Sequence, residues 1–284
     1  MTTFNLGPAL LFVPADRPER YAKAYERSDA IIIDLEDAVA PDDRPAARNA
    51  LHSHLHSLDQ ASFARTIVRI NPVDASDFEQ DVAVLADTNL QYVMVPKVES
   101  SSAIDAVVAA LPGVHIIALC ETAAGVLASP TIAAHESVTA LMWGSEDLMV
   151  STGGSSSRFS DGTYRDVPRF ARAQVLLAAA ANNKGSIDTI HTDLFPTEQF
   201  IAEAHDAVSS GWSAKACIHP GQVPVVRKAY TPTDEELEHA QALLAEVAHH
   251  GGVFQFRGMM VDGPLIEHAQ NVMTRAEKLL KNPN

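Results

Sequence analysis

Glu121 and Asp147 each stand at the end of an apolar run, Val114-His-Ile-Ile-Ala-Leu-Cys120 and Ser137-Val-Thr-Ala-Leu-Met-Trp-Gly144. Each run reads as a buried strand, and the two acids lie about one strand–helix unit apart. In parallel α/β proteins, chemistry collects at the carboxyl ends of the strands. Two acids on adjacent strand ends suit a hard divalent cation such as Mg2+, with most of its shell left to water and substrate. The bland alternative is that each acid caps a helix or pairs with a neighbouring cation. The residues alone leave both open.

Other strand ends carry further polar groups. Arg69, in Val68-Arg-Ile-Asn71, is a charge leaving an apolar strand. It could grip a carboxylate with two parallel hydrogen bonds, or pair with Glu36 or Asp37. Glu36 and Asp37 are too crowded to be free together. They support either the metal's waters and Arg69, or a helix start. Lys97 invites a Schiff-base role, but nothing in its surroundings would depress its pKa, so an ion pair with Glu99 or a strand-two acid is expected. Asn71, Glu99, Asp193, Lys215 and His219 complete the expected rim. His52, His54 and His56 look like a metal string, yet only His52 and His56 share a helix face. They fall on an outer, solvated helix and are expected to have no function. No zinc spacing, phosphate-binding loop or serine-nucleophile elbow occurs.

The elements that must position these groups recur regularly. Eight apolar, β-branched runs lie at 9–13, 30–35, 66–70, 91–95, 114–120, 138–143, 186–191 and 214–219. Helical periodicity fills the intervals, at 17–27, 44–56, 76–86, 101–111, 170–182, 197–209 and 233–249, with a short stretch at 129–134. Asp16 and Pro18 mark the first helix start, and Thr233-Asp-Glu-Glu236 reads as a capping box. Eight alternating units in 284 residues predict a (β/α)8 barrel. A doubly wound sheet competes, but no clear boundary divides the units. The Gly/Ser-rich stretch 151–163 is expected to be a mobile loop on the catalytic face. Residues 1–250 are assigned to the barrel and 251–284 to a C-terminal extension, long enough to act as a lid over its own site or a neighbour's.

Composition narrows the function. Hydrophobic residues make up 46% and charged residues 20%, as in an ordinary well-cored protein. A net charge of −15, from 21 Lys+Arg against 36 Asp+Glu, disfavours nucleic acid and anionic membranes as partners. No run is long enough to span a membrane, and the first residues do not read as a signal peptide. Cys120 and Cys217 sit in apolar runs, so a reduced, cytoplasmic protein is expected.

The chain resembles the citrate lyase beta-subunit family, within the malyl-CoA lyase and HpcH/HpaI aldolase superfamily, and is similar to its stand-alone actinobacterial members. The matching stretches are Leu11-Phe-Val-Pro-Ala-Asp-Arg-Pro-Glu-Arg20, Ile33-Asp-Leu-Glu-Asp-Ala-Val39, Val68-Arg-Ile-Asn71 and Val95-Pro-Lys-Val-Glu99. Leu119-Cys-Glu-Thr122, Met142-Trp-Gly-Ser-Glu-Asp147, Cys217-Ile-His-Pro-Gly-Gln222 and Gly258-Met-Met-Val-Asp262 follow. Any one is weak; their number and order make the resemblance specific along nearly the whole chain.

The resemblance implies a barrel with Glu121 and Asp147 as Mg2+ ligands and Arg69 as carboxylate clamp. It implies that Asp262, on a C-terminal lid, reaches the site of an adjacent subunit in a homotrimer or dimer of trimers. Phe12 and Lys23 match the region that touches coenzyme A. Glu19 stands where some relatives carry a lysine, and Ala124 replaces a basic residue of others. The implied reaction is Mg2+-dependent cleavage or formation of a 3-hydroxyacyl-CoA, such as citramalyl-, malyl- or citryl-CoA, with a keto acid and an acyl-CoA on the other side. Two rivals remain: a CoA-independent aldolase of a hydroxy-keto acid, and a non-catalytic subunit that needs acyl-carrier and transferase partners.

Overall fold

In the computed structural model, eight parallel strands close into a single barrel in chain order, with β1 pairing both β2 and β8. The description covers residues 4–247, 249–250 and 252–281; Met1–Thr3 and Gly251, the expected start of the extension, lie outside it. The first half runs β1 (Ala9–Pro14), α1 (Tyr21–Arg27), β2 (Ala30–Asp34), α2 (Arg44–Ser57), α3 (Gln60–Ala64), β3 (Thr66–Arg69), α4 (Phe78–Leu85), β4 (Tyr92–Val95) and α5 (Ser101–Ala110). The second runs β5 (His115–Cys120), α6 (Ala123–Ala133), β6 (Val138–Trp143), α7 (Ser145–Thr152), α8 (Asp166–Ala181), β7 (Gly185–Asp188), α9 (Glu198–Ser210) and β8 (Ala214–Cys217). The sheet is a closed barrel, as the eight-unit pattern predicts, and the doubly wound alternative is excluded.

Strand parity decides what enters the barrel. Side chains alternate along a strand, so a single residue shift moves a group from the lumen to the helix layer. Leu10, Ile32, Ile67, Met94, Ile117, Leu119, Ala140, Met142, Ile187, Ala214 and Ala216 form the inner core. Each fully buried Ile or Leu contributes ~1.5–3 kcal/mol relative to exposure. Two residues further along the same parity stand Phe12, Asp34, Arg69, Glu121 and Gly144, at the carboxyl end.

The last two strands are shorter than their apolar runs. β7 stops at Asp188 and β8 at Cys217 because side chains take over the backbone there. Gln222 Nε2 donates to the carbonyls of His191 (3.2 Å) and Asp193 (2.8 Å), while its Oε1 accepts from Ile218 N (2.8 Å) and His219 N (3.3 Å). α6 is longer than the expected 129–134: Thr122 accepts from Gly125 N at 3.0 Å and starts it early, and Pro130 is tolerated inside. The 151–163 stretch does form a long connection, but Arg158 pins it. Its guanidinium donates to Gly162 O and Tyr164 Oη and pairs with Glu203 on α9.

A second compact unit begins at Arg227, inside α10 (Val223–Tyr230). It contains α11 (Asp234–Val247), the hairpin β9 (Phe254–Phe256) and β10 (Met259–Val261), and α12 (Gly263–Lys281). Ala240, Leu243, Phe254, Val261, Ala269 and Val272 form its core. Thr233 and Glu236 exchange backbone hydrogen bonds at 2.7 and 3.2 Å, so the capping box starts α11 as the sequence predicts. Arg257 (φ 47°) and Gly258 (φ 84°) make the left-handed turn between the two strands. No helix among the described residues is long and apolar enough to cross a membrane.

Candidate active site

A cavity of about 340 Å3 opens at the carboxyl end of the barrel. Phe12, Leu119, Met142, Ile190 and Ile218 make an apolar wall, while Asp34, Asp37, Arg69, Glu121, Glu146 and Asp147 bring charge. The structure therefore brings Glu121, Asp147, Arg69, Asp37 and Phe12 into one lining. Glu36 lies just behind it on the same ion pairs. Lys23 is separate, exposed on α1, and Asp262 follows β10 in the second unit, half-buried.

The helix-capping alternatives for the acids are largely taken by other residues. Thr122 caps α6, so Glu121 is free of that task. Asp34 accepts from Glu36 N (3.0 Å) and Ala38 N (3.1 Å), so Asp34 organises the turn after β2. Asp147 does lie in the first turn of α7, where the helix dipole favours a carboxylate.

Arg69 is held mainly by a residue the sequence did not single out. Its Nε and Nη2 donate to the two oxygens of Asp34 at 2.7 and 2.6 Å. The pairing follows from register, since Asp34 and Arg69 are neighbours across β2 and β3. Nη1 adds an ion pair with Glu36 Oε2 at 2.9 Å, and the Phe12 ring lies 5.0 Å from the guanidinium carbon. Asp37, more than half exposed, stays 3.8 Å away. Burial would weaken the Arg69 charge, but Asp34, Glu36 and Glu121 more than reverse that and hold it firmly protonated. Five N–H groups meet only these acceptors, so Arg69 keeps donor capacity at the cavity.

Lys97 collects the acids. Its ammonium bonds Glu36 and lies 3.4 Å from Asp147, 3.9 Å from Glu121 and 3.9 Å from Asp37. The expected pairing with a strand-two acid is present. Burial would lower the lysine pKa, but Glu36, Glu121 and Asp147 raise it above the ordinary range. A Schiff-base lysine needs the opposite. Its backbone is left-handed, φ 51°, a conformation a non-glycine residue adopts at a cost. In that conformation Lys97 N donates to Glu121 Oε1 at 3.1 Å.

Glu121 is the anomaly of the site. It is 2% exposed, and burial, then Asp147 and Glu36, push its carboxyl up to about 8 against the pull of Lys97 and Arg69. Glu36, equally buried, is also raised, by burial first. Five carboxylates thus share two cations. Such an oxygen-only, under-neutralised set fits a hard divalent cation, whose charge would keep Glu121 ionised. Gly144 makes the close approach possible: a Cβ there would stand 2.7 Å from Glu121 Oε2 and 2.9 Å from its Cβ.

Four expected rim residues lie elsewhere. Lys215 has the parity of the helix layer, is fully buried, and bonds Asp188 (3.1 Å) and Thr189 O (2.9 Å) behind the barrel. His219 lies beyond the end of β8, accepts from Gly221 N at 3.1 Å and caps the turn Pro220–Gln222. Asp193 pairs with His191 at 3.3 Å, while Thr189 and Ile190 take its expected place at the cavity. Asn71 bonds Asp81 and Leu35 O, a structural role.

Comparison with known proteins places the chain in a family. Residues 9–220 match the model of the HpcH/HpaI aldolase/citrate lyase family. The chain is 46% identical over 270 residues to a citrate lyase subunit beta-like protein of Mycobacterium tuberculosis, covering 95% of this chain and 96% of that one. It is 32% identical over 276 residues to a (3S)-malyl-CoA thioesterase of Cereibacter sphaeroides, covering 95% of each. The crystal structure of protein CitE from M. tuberculosis in complex with magnesium, acetoacetate and coenzyme A superposes with a TM-score of 0.88 at 45% identity, covering 95% of this chain and 98% of that one. The chain belongs to the HpcH/HpaI aldolase/citrate lyase family, a family of carbon–carbon lyases.

Proposed function

We propose that this protein is a Mg2+-dependent lyase that cleaves or forms a 3-hydroxyacyl-CoA thioester, with citramalyl-, malyl- and citryl-CoA as candidates. The observation that carries the reading is the burial of Glu121 beside Asp147 and Glu36 with too few cations to neutralise them. The relative that holds magnesium, a keto acid and coenzyme A together supports the same ligand set.

Glu121 and Asp147 would hold the ion, leaving the rest of its shell to water and substrate oxygens. Bound there, Mg2+ would supply Lewis-acid stabilisation of the oxygen charge that develops as the carbon–carbon bond breaks. Arg69, fixed by Asp34, binds and orients the substrate carboxylate. Phe12 and the apolar wall exclude water from the reacting carbons. Lys97 keeps Glu36, Glu121 and Asp147 together and offsets part of their repulsion. In the cleavage direction the hydroxyl proton leaves to water, the C–C electron pair passes to the thioester α-carbon, and a proton from Asp262 takes its place. In reverse, Asp262 removes that proton.

Asp262 would come from the second unit of a neighbouring copy, acting as a lid in a homotrimer or dimer of trimers. Exposed Leu127, Val150, Val167, Phe170, Leu177 and Ile201 along α6–α9 support self-association. Lys23 and Phe12 are proposed contacts for the coenzyme A portion. Cys120 and Cys217, both buried thiols, support a reducing, cytoplasmic setting.

The test is a panel of hydroxyacyl-CoA thioesters with Mg2+ and full product analysis. Keto acid and acyl-CoA in equal amounts are expected. Free CoA released without keto acid would replace the lyase reading with thioester hydrolysis. Cleavage of a free hydroxy-keto acid alone would favour the CoA-independent aldolase. Binding of Mg2+ and keto acid with no thioester cleaved would favour a subunit that depends on partners.

A further inference from the structure

The outer face of α2 meets the end of α4 through a stripe of residues four apart: Arg44, Arg48, His52 and His56. This spacing stacks side chains along one helix face. The first half of the stripe is closed by charge. Arg44 pairs with Asp77 at 2.6 Å, and Arg48 binds Asp77 and, at 2.7 Å, Asp81. The second half meets Asp87, and its partners are imidazoles, which at neutral pH carry no obligatory charge.

The geometry there has the form of a chelate. His52 Nε2 lies 3.2 Å from both oxygens of Asp87, and His56 Nε2 lies 4.0 Å from one of them. The two rings are neighbours along the helix, tilted by 46° with centroids 4.3 Å apart. One ligand atom from each of His52, His56 and Asp87 fits within 4.8 Å of the others. The tautomer of His56 is also fixed. Its Nδ1 lies 2.9 Å from the His52 carbonyl, which can only accept, so Nδ1 carries a proton and, in the neutral ring, Nε2 is the nitrogen that keeps its lone pair. A backbone carbonyl behind a ligating histidine is the usual means of orienting the ring for a metal. Side-chain exposures of 41%, 46% and 63% leave room for water to complete the shell.

We propose that His52, His56 and Asp87 form a surface site for a transition-metal dication, with Zn2+ as the representative ion, distinct from the barrel cavity. Two imidazole nitrogens and one carboxylate oxygen, closing to ~2.0–2.2 Å, are a donor set that Zn2+ takes and Mg2+ does not favour. His52 moves its proton to Nδ1 and coordinates through Nε2. The bound ion ties the last turn of α2 to the chain after α4, completing with a metal the stripe that Arg44 and Arg48 close with guanidinium.

Zn2+ titrated calorimetrically into the full-length protein in saturating Mg2+ tests this, in the wild type, His52→Gln/His56→Gln and Asp87→Asn. His56 and Asp87 are exposed, His52 is partly exposed, and all three lie outside the barrel mouth, so the variants should fold and keep their lyase activity. The wild type should take up one Zn2+ equivalent that the double variant lacks, and Asp87→Asn should bind it more weakly. Imidazole 1H–15N spectra should show the His52 and His56 ring nitrogens shifting on Zn2+ addition. Failure of the wild type to bind Zn2+, or the same Zn2+ stoichiometry in the double variant, would overturn the proposal. Either result leaves the reading of the barrel cavity untouched.

Discussion

Two buried ionic networks lie on opposite sides of the same barrel wall, and their most buried acids, Glu121 and Asp188, are shifted in opposite directions. Inside the mouth, five carboxylates share Arg69 and Lys97, and Glu121 is driven up to about 8. Behind β7 and β8, Asp188, Glu203 and Asp206 meet Lys215, Arg172 and Arg158, three acids to three bases. There, burial pushes Asp188 up, but Lys215, Arg172 and the Trp143 indole at 2.7 Å bring it down to about 2. The two sites do not differ in burial: Glu121 and Asp188 are both 2% exposed. They differ in balance. A network that neutralises itself is structural; one that leaves acids uncompensated is waiting for a cation.

Removing one of the proposed metal ligands from the mouth should have the largest effect. Glu121→Ala and Asp147→Ala are each expected to reduce Mg2+-dependent turnover by roughly 10³-fold or more, with thermal stability kept or raised because a repulsive acid is gone. Full activity of either variant in metal-free buffer would remove the metal role. The opposite pattern is expected behind the wall. Lys215→Ala leaves buried Asp188 short of a partner and should cost ~3–5 kcal/mol in chemical denaturation, with the Mg2+ affinity of the folded enzyme little changed. If Lys215→Ala instead spared stability, the self-neutralised picture of that network would fail.

Gly144→Ala sharpens the contrast without touching a charge. The backbone there is extended, φ −124°, so alanine is unstrained. Its Cβ would nevertheless meet Glu121 Oε2 and Cβ. Glu121 must move, and Mg2+ affinity should fall about 10–100-fold, the range seen when a ligand's support is disturbed. Unchanged Mg2+ affinity, measured by calorimetry, would mean that the position of Glu121 does not set the site.

How far each network could be read from sequence follows from strand parity. Glu121 and Asp147 stood out because they end apolar runs, and the barrel brings those ends together. Asp34 was hidden in the same Ile-Ile-Ile-Asp run that signalled its strand; its link to Arg69 depends on register between β2 and β3, which no local pattern carries. The apolar run 214–219 predicts Lys215 on the rim, because it reads as a strand reaching its own end. The strand stops at Cys217, and alternation with Ala214 and Ala216 turns the lysine outward. Asp188 and its partners come from separate strands, helices and the 151–163 connection, so the balanced network exists only in the folded chain. The same holds for Asp87, which turns the His52–His56 pair from a solvated face into a three-donor cluster.

The smallest expected effect separates the networks by acid. Asp188 has an ordinary carboxyl pKa of 3.8 when unfolded and about 2 when folded. A group whose folded pKa is depressed stabilises the fold above its unfolded value and loses that stabilisation as pH falls through the folded one. The contribution of Asp188, roughly 2 kcal/mol by the size of the shift, should therefore be intact above about pH 4 and disappear on acidification towards about pH 2. Asp188→Asn, which carries no charge to lose, should flatten that part of the stability–pH curve while lowering stability at neutral pH. An acid limb as steep in Asp188→Asn as in the wild type would assign the loss to other carboxylates and remove the titration argument for a self-neutralised network behind the barrel.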